Sequence, residues 1–170
     1  MMGIVSRSKP RRALAGSWGL VLLMLAFACA RPASQSAVSE PAYTPGLGEI
    51  MSATQMRHLK LWYAGQARNW PLASYEVDEL EEGFADVVHF HPEHKDSPRP
   101  LTELVPEFTA GPIAALRAAI ATQNRDEFAA AHDALTEGCN GCHVAAKFSF
   151  NVVVRPTSNP YSNQDFAAPR

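Results

Sequence analysis

The chain has only three cysteines in 170 residues, and two of them, Cys139 and Cys142, stand three apart near its C-terminal end. A disulfide between that close pair would span one helical turn and staple nothing distant. A structural zinc site fares no better, since it needs four ligands, usually with a second pair of Cys or His at suitable spacing, and the only other cysteine lies in the leader. Long alternation of apolar and polar residues is missing too. Phe150-Asn-Val-Val-Val154 is the only strand-like piece, which argues against a sheet and against the βαβ frame of a thioredoxin-like redox pair. The longest apolar run, GLVLLMLAFACA, falls short of the roughly 20 residues a membrane-spanning helix needs. No Ser-His-Asp arrangement, phosphate loop or pair of catalytic carboxylates stands out, so the protein is not expected to be an enzyme.

What is present begins with an export signal. Arg7, Lys9, Arg11 and Arg12 precede the apolar run, and small residues end it. The order Leu25-Ala-Phe-Ala-Cys29 resembles the lipobox of bacterial lipoproteins. That resemblance implies a signal over residues 1–28, acylation of Cys29 and a periplasmic protein anchored to a bacterial membrane. Cleavage by ordinary signal peptidase after Ala28 or Ala30 is the alternative. Without residues 1–28 the chain has 11 Lys and Arg against 17 Asp and Glu, a net charge of −6. An acidic surface excludes nucleic acid and would suit a basic partner. Residues 29–46, rich in Pro, Ser and Ala, read as a flexible tether.

Beyond the tether the apolar residues take a helical period. The first helix is expected from Thr44-Pro45 to Gly65. A second starts at Asn69 with Pro71 behind it and is stopped by Pro92, its acids facing away from the apolar side. A proline-rich connection follows, with a turn of helix around Leu101–Val105. A third helix covers Pro112 to about Thr122. Asn124 and Glu127, spaced as a capping box, open the fourth, which runs on toward Phe148. Residues 151–170 read as an irregular tail. The expected fold is all-α, an antiparallel four-helix bundle over residues 47–150 with the Cys139–Cys142 pair on its last helix. Trp62, Tyr63, Trp70 and Tyr75 are expected in its core.

The pair is followed at once by a histidine: Glu137-Gly-Cys-Asn-Gly-Cys-His-Val-Ala-Ala-Lys-Phe148. In a helix, Cys139, Cys142 and His143 project from one face. Covalent haem attachment requires that arrangement: two thioethers to the porphyrin edge and an imidazole to the iron. C-x-x-C-H is the haem-attachment signature. Gly138 and Gly141 each cost a helix roughly 1 kcal/mol relative to alanine, and a flat macrocycle against the backbone would account for them. One covalently bound haem c is therefore the expected cofactor.

A C-x-x-C-H on the last helix of an exported four-helix bundle resembles the cytochrome c′ group, including its low-spin relatives. The match covers residues 47–148 in architecture, and CNGCH with the following AAKF as sequence. The resemblance implies His143 as the proximal iron ligand, Cys139 and Cys142 as thioether sites, a distal face from the first helix, and a homodimer. The distal residue in this group is either apolar, leaving iron open to small gases, or a methionine, which favours electron transfer.

The first helix offers Met51, Met56 and His58. At 100° per residue Met51 and His58 share a face about 10 Å apart, while Met56 turns away. Met51 best fits the early distal position, with His58, Met56 or no protein ligand as alternatives. His58 is expected at the helix surface or on a haem propionate, with Arg57 and Lys60 as further propionate partners. His89, His91 and His94 straddle a helix end and a proline, without a fixed metal geometry. His132 lies too far from His143 to bind the same iron. The function expected is single-electron transfer to a redox partner protein or membrane respiratory complex. A five-coordinate binder of nitric oxide or carbon monoxide and a haem-bearing accessory subunit are the rivals.

Overall fold

The computed structural model describes residues 43–167. The export signal, Cys29 and most of the tether therefore lie outside the described residues. Four helices follow in order: α1 (Leu47–Gln66), α2 (Trp70–Phe90), α3 (Leu101–Ala121) and α4 (Arg125–Ala145). No strand occurs among the described residues, and Phe150-Asn-Val-Val-Val154 begins in a turn, with Asn151 N–H on the Phe148 carbonyl at 2.9 Å.

The corners are built from local chemistry. α1, α3 and α4 end with Arg68, Gln123 and Lys147 in the left-handed region, at φ of 57°, 54° and 66°. Each lets the next amide turn back into the helix, as in Asn69 N–H to the Ala64 carbonyl at 2.9 Å and Asn124 N–H to the Ala119 carbonyl at 2.9 Å. The asparagines that close α1 and α3 also open α2 and α4. Asn69 Oδ1 accepts from Leu72 N–H, and Asn124 Oδ1 accepts from the amides of Asp126 and Glu127. Two helix ends and two helix starts thus fit into three-residue connections, which force antiparallel neighbours.

Each helix packs on its chain neighbours, and α1 closes the ring against α4 along the thinnest of the four seams. The core has two parts. One, at the α1–α2 and α3–α4 corners, contains Leu61, Val77, Leu80, Leu116, Phe128 and Leu135. The other, at the opposite end, contains Ile50, Val87, Leu101, Leu104, Val105 and Ala146.

α3 differs from the sequence expectation of a short turn, a long connection and a helix from Pro112. It is one helix of 21 residues with Pro106 and Pro112 inside it. An interior proline costs about 3 kcal/mol, but Leu101, Leu104, Val105, Ile113 and Leu116 keep one buried stripe across both. Pro106 and Thr102, whose carbonyl loses a donor to it, both lie on the solvent side, so the carbonyl is open to solvent and not orphaned in the core. By length and composition α3 could cross a membrane, yet its stripe is taken up by the other helices.

On α2, Glu76 is buried at 2% exposure, not on the outer face with the other acids, and Tyr75 is exposed at 54%, not in the core. Burial pushes the Glu76 carboxyl up, while Lys60 of α1 pulls it down. The irregular tail is docked. Phe166 is buried, its carbonyl accepts from Asn69 Nδ2 at 3.3 Å, and Arg155 pairs with Asp133 while lying 4.7 Å from the Trp62 ring centre.

Candidate functional site

A cavity of about 320 Å³ opens along the α1–α4 seam at the second end of the bundle. Met51, Thr54 and His58 line it from α1 and Cys139, Cys142 and His143 from α4. Leu80, Phe84 and Val87 of α2 and Leu101, Val105 and Thr109 of α3 form its apolar back, and His94, Phe148, Asn151 and Val153 its margin. The motif and the expected distal residue thus meet across one space. Met56, at 37% exposure, does not reach it.

The histidine of the motif is held from behind. His143 Nδ1 donates to the Asn151 carbonyl at 2.6 Å, which fixes the tautomer and leaves Nε2 as the free lone pair, as a metal-binding imidazole requires. The segment supplying that carbonyl is itself anchored. Asn140, between the two cysteines, accepts from Val153 N–H at 2.8 Å and donates to the Val153 carbonyl at 2.9 Å.

Cys139 and Cys142 are free thiols. Burial, with the neighbouring Cys142 second, pushes the Cys139 thiol up to about 12. Burial and then Glu107 raise Cys142 as well. Neither is a ready thiolate at neutral pH, which separates this pair from catalytic redox cysteines, whose pKa values are lowered.

Gly138 and Gly141 have a cause inside the protein. Pro112 has no N–H to give the Phe108 carbonyl one turn earlier, and that carbonyl faces Gly138, where a Cβ would run into it. A Cβ on Gly141 would lie 2.7 Å from the Phe108 ring. Close approach of α3 explains both glycines without a macrocycle.

His58 is neither at the surface nor a donor to the cavity. It is 4% exposed, and its Nε2 lies 2.9 Å from Thr136 Oγ1. The Thr136 hydroxyl donates to the His132 carbonyl at 2.9 Å, so Nε2–H of His58 must be the donor to Thr136. His132 returns the link, its Nε2–H meeting the His58 carbonyl at 3.1 Å. The two rings lie 4.2 Å apart between centres. Burial, then the charge of His132, holds His58 down to about 3. Burial lowers His132 to about 4 against the smaller opposing pull of the His58 carbonyl. Both imidazoles are neutral, and Nδ1 of His132 is buried without a partner among the described residues.

No group of three metal-ligating side chains of the Cys, His and carboxylate kind occurs among the described residues, so His89, His91 and His94 do not converge. They part ways: His91 Nε2 meets the Pro45 carbonyl at 2.8 Å, while His94 joins the cavity margin. The sequence names His94 only within the His89, His91 and His94 group, and it does not single out Thr136, Phe108 or Asn151. Only Asn151, eight residues beyond His143, lies near the motif in the chain. No family model matches this chain, and neither a curated protein nor a solved structure is similar to it.

Proposed function

We propose that this is an exported mono-haem c-type cytochrome that carries single electrons, with Cys139 and Cys142 as thioether sites and His143 and Met51 as iron ligands. One observation carries the reading: Cys139, Cys142 and His143 of α4 and Met51 of α1 wall the same apolar cavity. The donor set fits the group, with two unbridged thiols, one imidazole with a fixed tautomer, and a thioether opposite them. Haem bound there would supply a one-electron ferric/ferrous couple, with Met/His ligation raising its potential.

The chain's own residues hold and shield. Asn151 orients His143, and Asn140 steadies the segment that does so. Leu80, Phe84, Val87, Leu101 and Val105 exclude water from the back of the cavity. The export signal and Cys29 support a periplasmic lipoprotein, and the acidic surface a basic redox partner or membrane complex.

A second reading is five-coordinate binding of nitric oxide or carbon monoxide. Its support is that Met51 also packs against the apolar cluster around Ile50 and Val105, as a core methionine does. One set of spectra separates the two. The purified protein should give c-type bands in a pyridine haemochrome assay and a low-spin spectrum indifferent to carbon monoxide. Met51→Ala should turn it high-spin and reactive with carbon monoxide. A native high-spin protein that binds carbon monoxide removes Met51 as ligand, and no c-type bands would end the cytochrome reading.

A further inference from the structure

Among the described residues the cavity wall contains no lysine or arginine, although haem carries two carboxylate side chains. A carboxylate taken from water needs hydrogen-bond donors. Most polar groups on the wall have already committed theirs. The hydroxyls of Ser52, Thr54 and Thr109 donate to the carbonyls four residues earlier, at 2.7, 2.9 and 2.7 Å. Nε2–H of His58 is taken by Thr136, and Nδ1–H of His143 by Asn151.

His94 differs. Asp96 N–H donates to its Nδ1 at 3.3 Å, so the proton of the neutral ring is on Nε2. That N–H has no partner among the described residues. The ring is held edge-on against Phe148 with 5.1 Å between centres, and Phe148 lines the same cavity. The loop that carries it is pinned at both ends, through His91 to Pro45 and through Leu101 N–H to the Pro92 carbonyl at 2.8 Å. Gln55 and Asn151 also offer side-chain amides, but no protein contact orients either amide and neither can carry charge.

We infer that His94, on the loop between α2 and α3, is the hydrogen-bond donor to a haem carboxylate and thereby a tuning residue for the iron. The inference rests on the cytochrome reading above. A donor on that carboxylate draws negative charge away from the iron, which disfavours the ferric state relative to an unbound carboxylate. Phe148 and Asp96 aim the donor, and His94 touches the group itself.

The test uses the haem-loaded full chain and two variants. His94→Phe removes the donor but keeps a ring against Phe148, while His94→Gln keeps a donor. Midpoint potential and the carboxylate bands of the redox infrared difference spectrum are read for each. The expected result is a lower potential and a shifted carboxylate band in His94→Phe, with His94→Gln close to wild type. Unchanged values in both variants overturn the inference. Equal changes in both, or a potential change without a carboxylate change, also overturn it, because they indicate loop packing alone. Wild-type protein without covalent haem overturns the cytochrome reading, and this inference falls with it. Covalent haem combined with an inert His94 overturns only the inference.

Discussion

The two ends of this bundle are built from the same four helices and differ in what fills the α1–α4 seam. At the corner end, Phe128 of α4 is fully buried and its ring lies where a Cβ on Gly65 of α1 would be. Leu61, Val77, Leu116 and Leu135 around it also expose nothing. At the other end Ile50, Val87, Leu101 and Val105 are buried, but Met51, Phe84 and Cys142 are only partly so, and the cavity separates α1 from α4. The corner end is complete in its own side chains. The far end spends its small and sulfur-bearing residues on a wall with room for a group of another kind. The packed core and the cavity are thus separated along the helix axis, with His58, Thr136 and His132 at the boundary.

The largest effect expected comes from unlocking that boundary with acid. In the unfolded chain both imidazoles bind a proton near pH 6.5, whereas burial in the fold holds them down to about 3 and 4. Between those limits the unfolded state binds more protons, so this part of the stability is complete above about pH 6.5 and is lost as pH falls. At pH 4.5 the loss is roughly 2–3 kcal/mol for each histidine. Glu76, with its carboxyl raised by burial, works in the opposite direction and offsets part of it. Urea unfolding at pH 7 and 4.5 measures the difference, and His132→Phe should lose about half as much as wild type. A wild-type protein equally stable at both pH values would show that the histidines do not bridge the seam.

Truncation at the two ends should separate them next. Phe128→Ala removes a fully buried ring and is expected to cost about 3–5 kcal/mol. Phe84→Ala removes a partly buried ring beside the cavity, where the wall already has free space, and is expected to cost about half of that. Thermal unfolding of the two variants checks the ratio. Equal losses would mean that the far end is packed as tightly as the corner.

Much of this contrast can be read in the sequence, and the remainder has identifiable reasons. Asn69 and Asn124 announce α2 and α4 because an asparagine cap acts on the next two or three amides. The motif on α4 is local as well, since three neighbouring side chains share a face. α3 was harder to read because each proline has a local cost, while the stripe that outweighs it is buried by other helices. His58 looked like a surface residue because Thr136 lies 78 residues away in the chain. His94 looked like part of a histidine cluster because only the fold sends His91 to Pro45 and His94 to the cavity. Contacts within a turn were legible, and those that cross the seam were not.

The smallest effect tests what sets the spacing of α3 and α4 at the far end. α4 sits close to α3 because the Phe108 carbonyl, without a donor from Pro112, fits against the bare Cα of Gly138. A Cβ there must push against backbone, which moves less readily than a flexible side chain. Alanine would otherwise favour the helix by roughly 1 kcal/mol, so the net cost of Gly138→Ala is the contact strain less that gain, about 1–2 kcal/mol. The displaced helix must move away from α3, which loosens the α3–α4 seam at this end. The cavity wall at Cys139 and Cys142 should shift while the corner end, half a helix away, keeps its packing. Hydrogen exchange would show this as faster exchange in residues 139–145 with unchanged protection around Phe128. If Gly138→Ala instead raises stability by the full helix-propensity gain, the Phe108 carbonyl does not set how closely α3 and α4 pack.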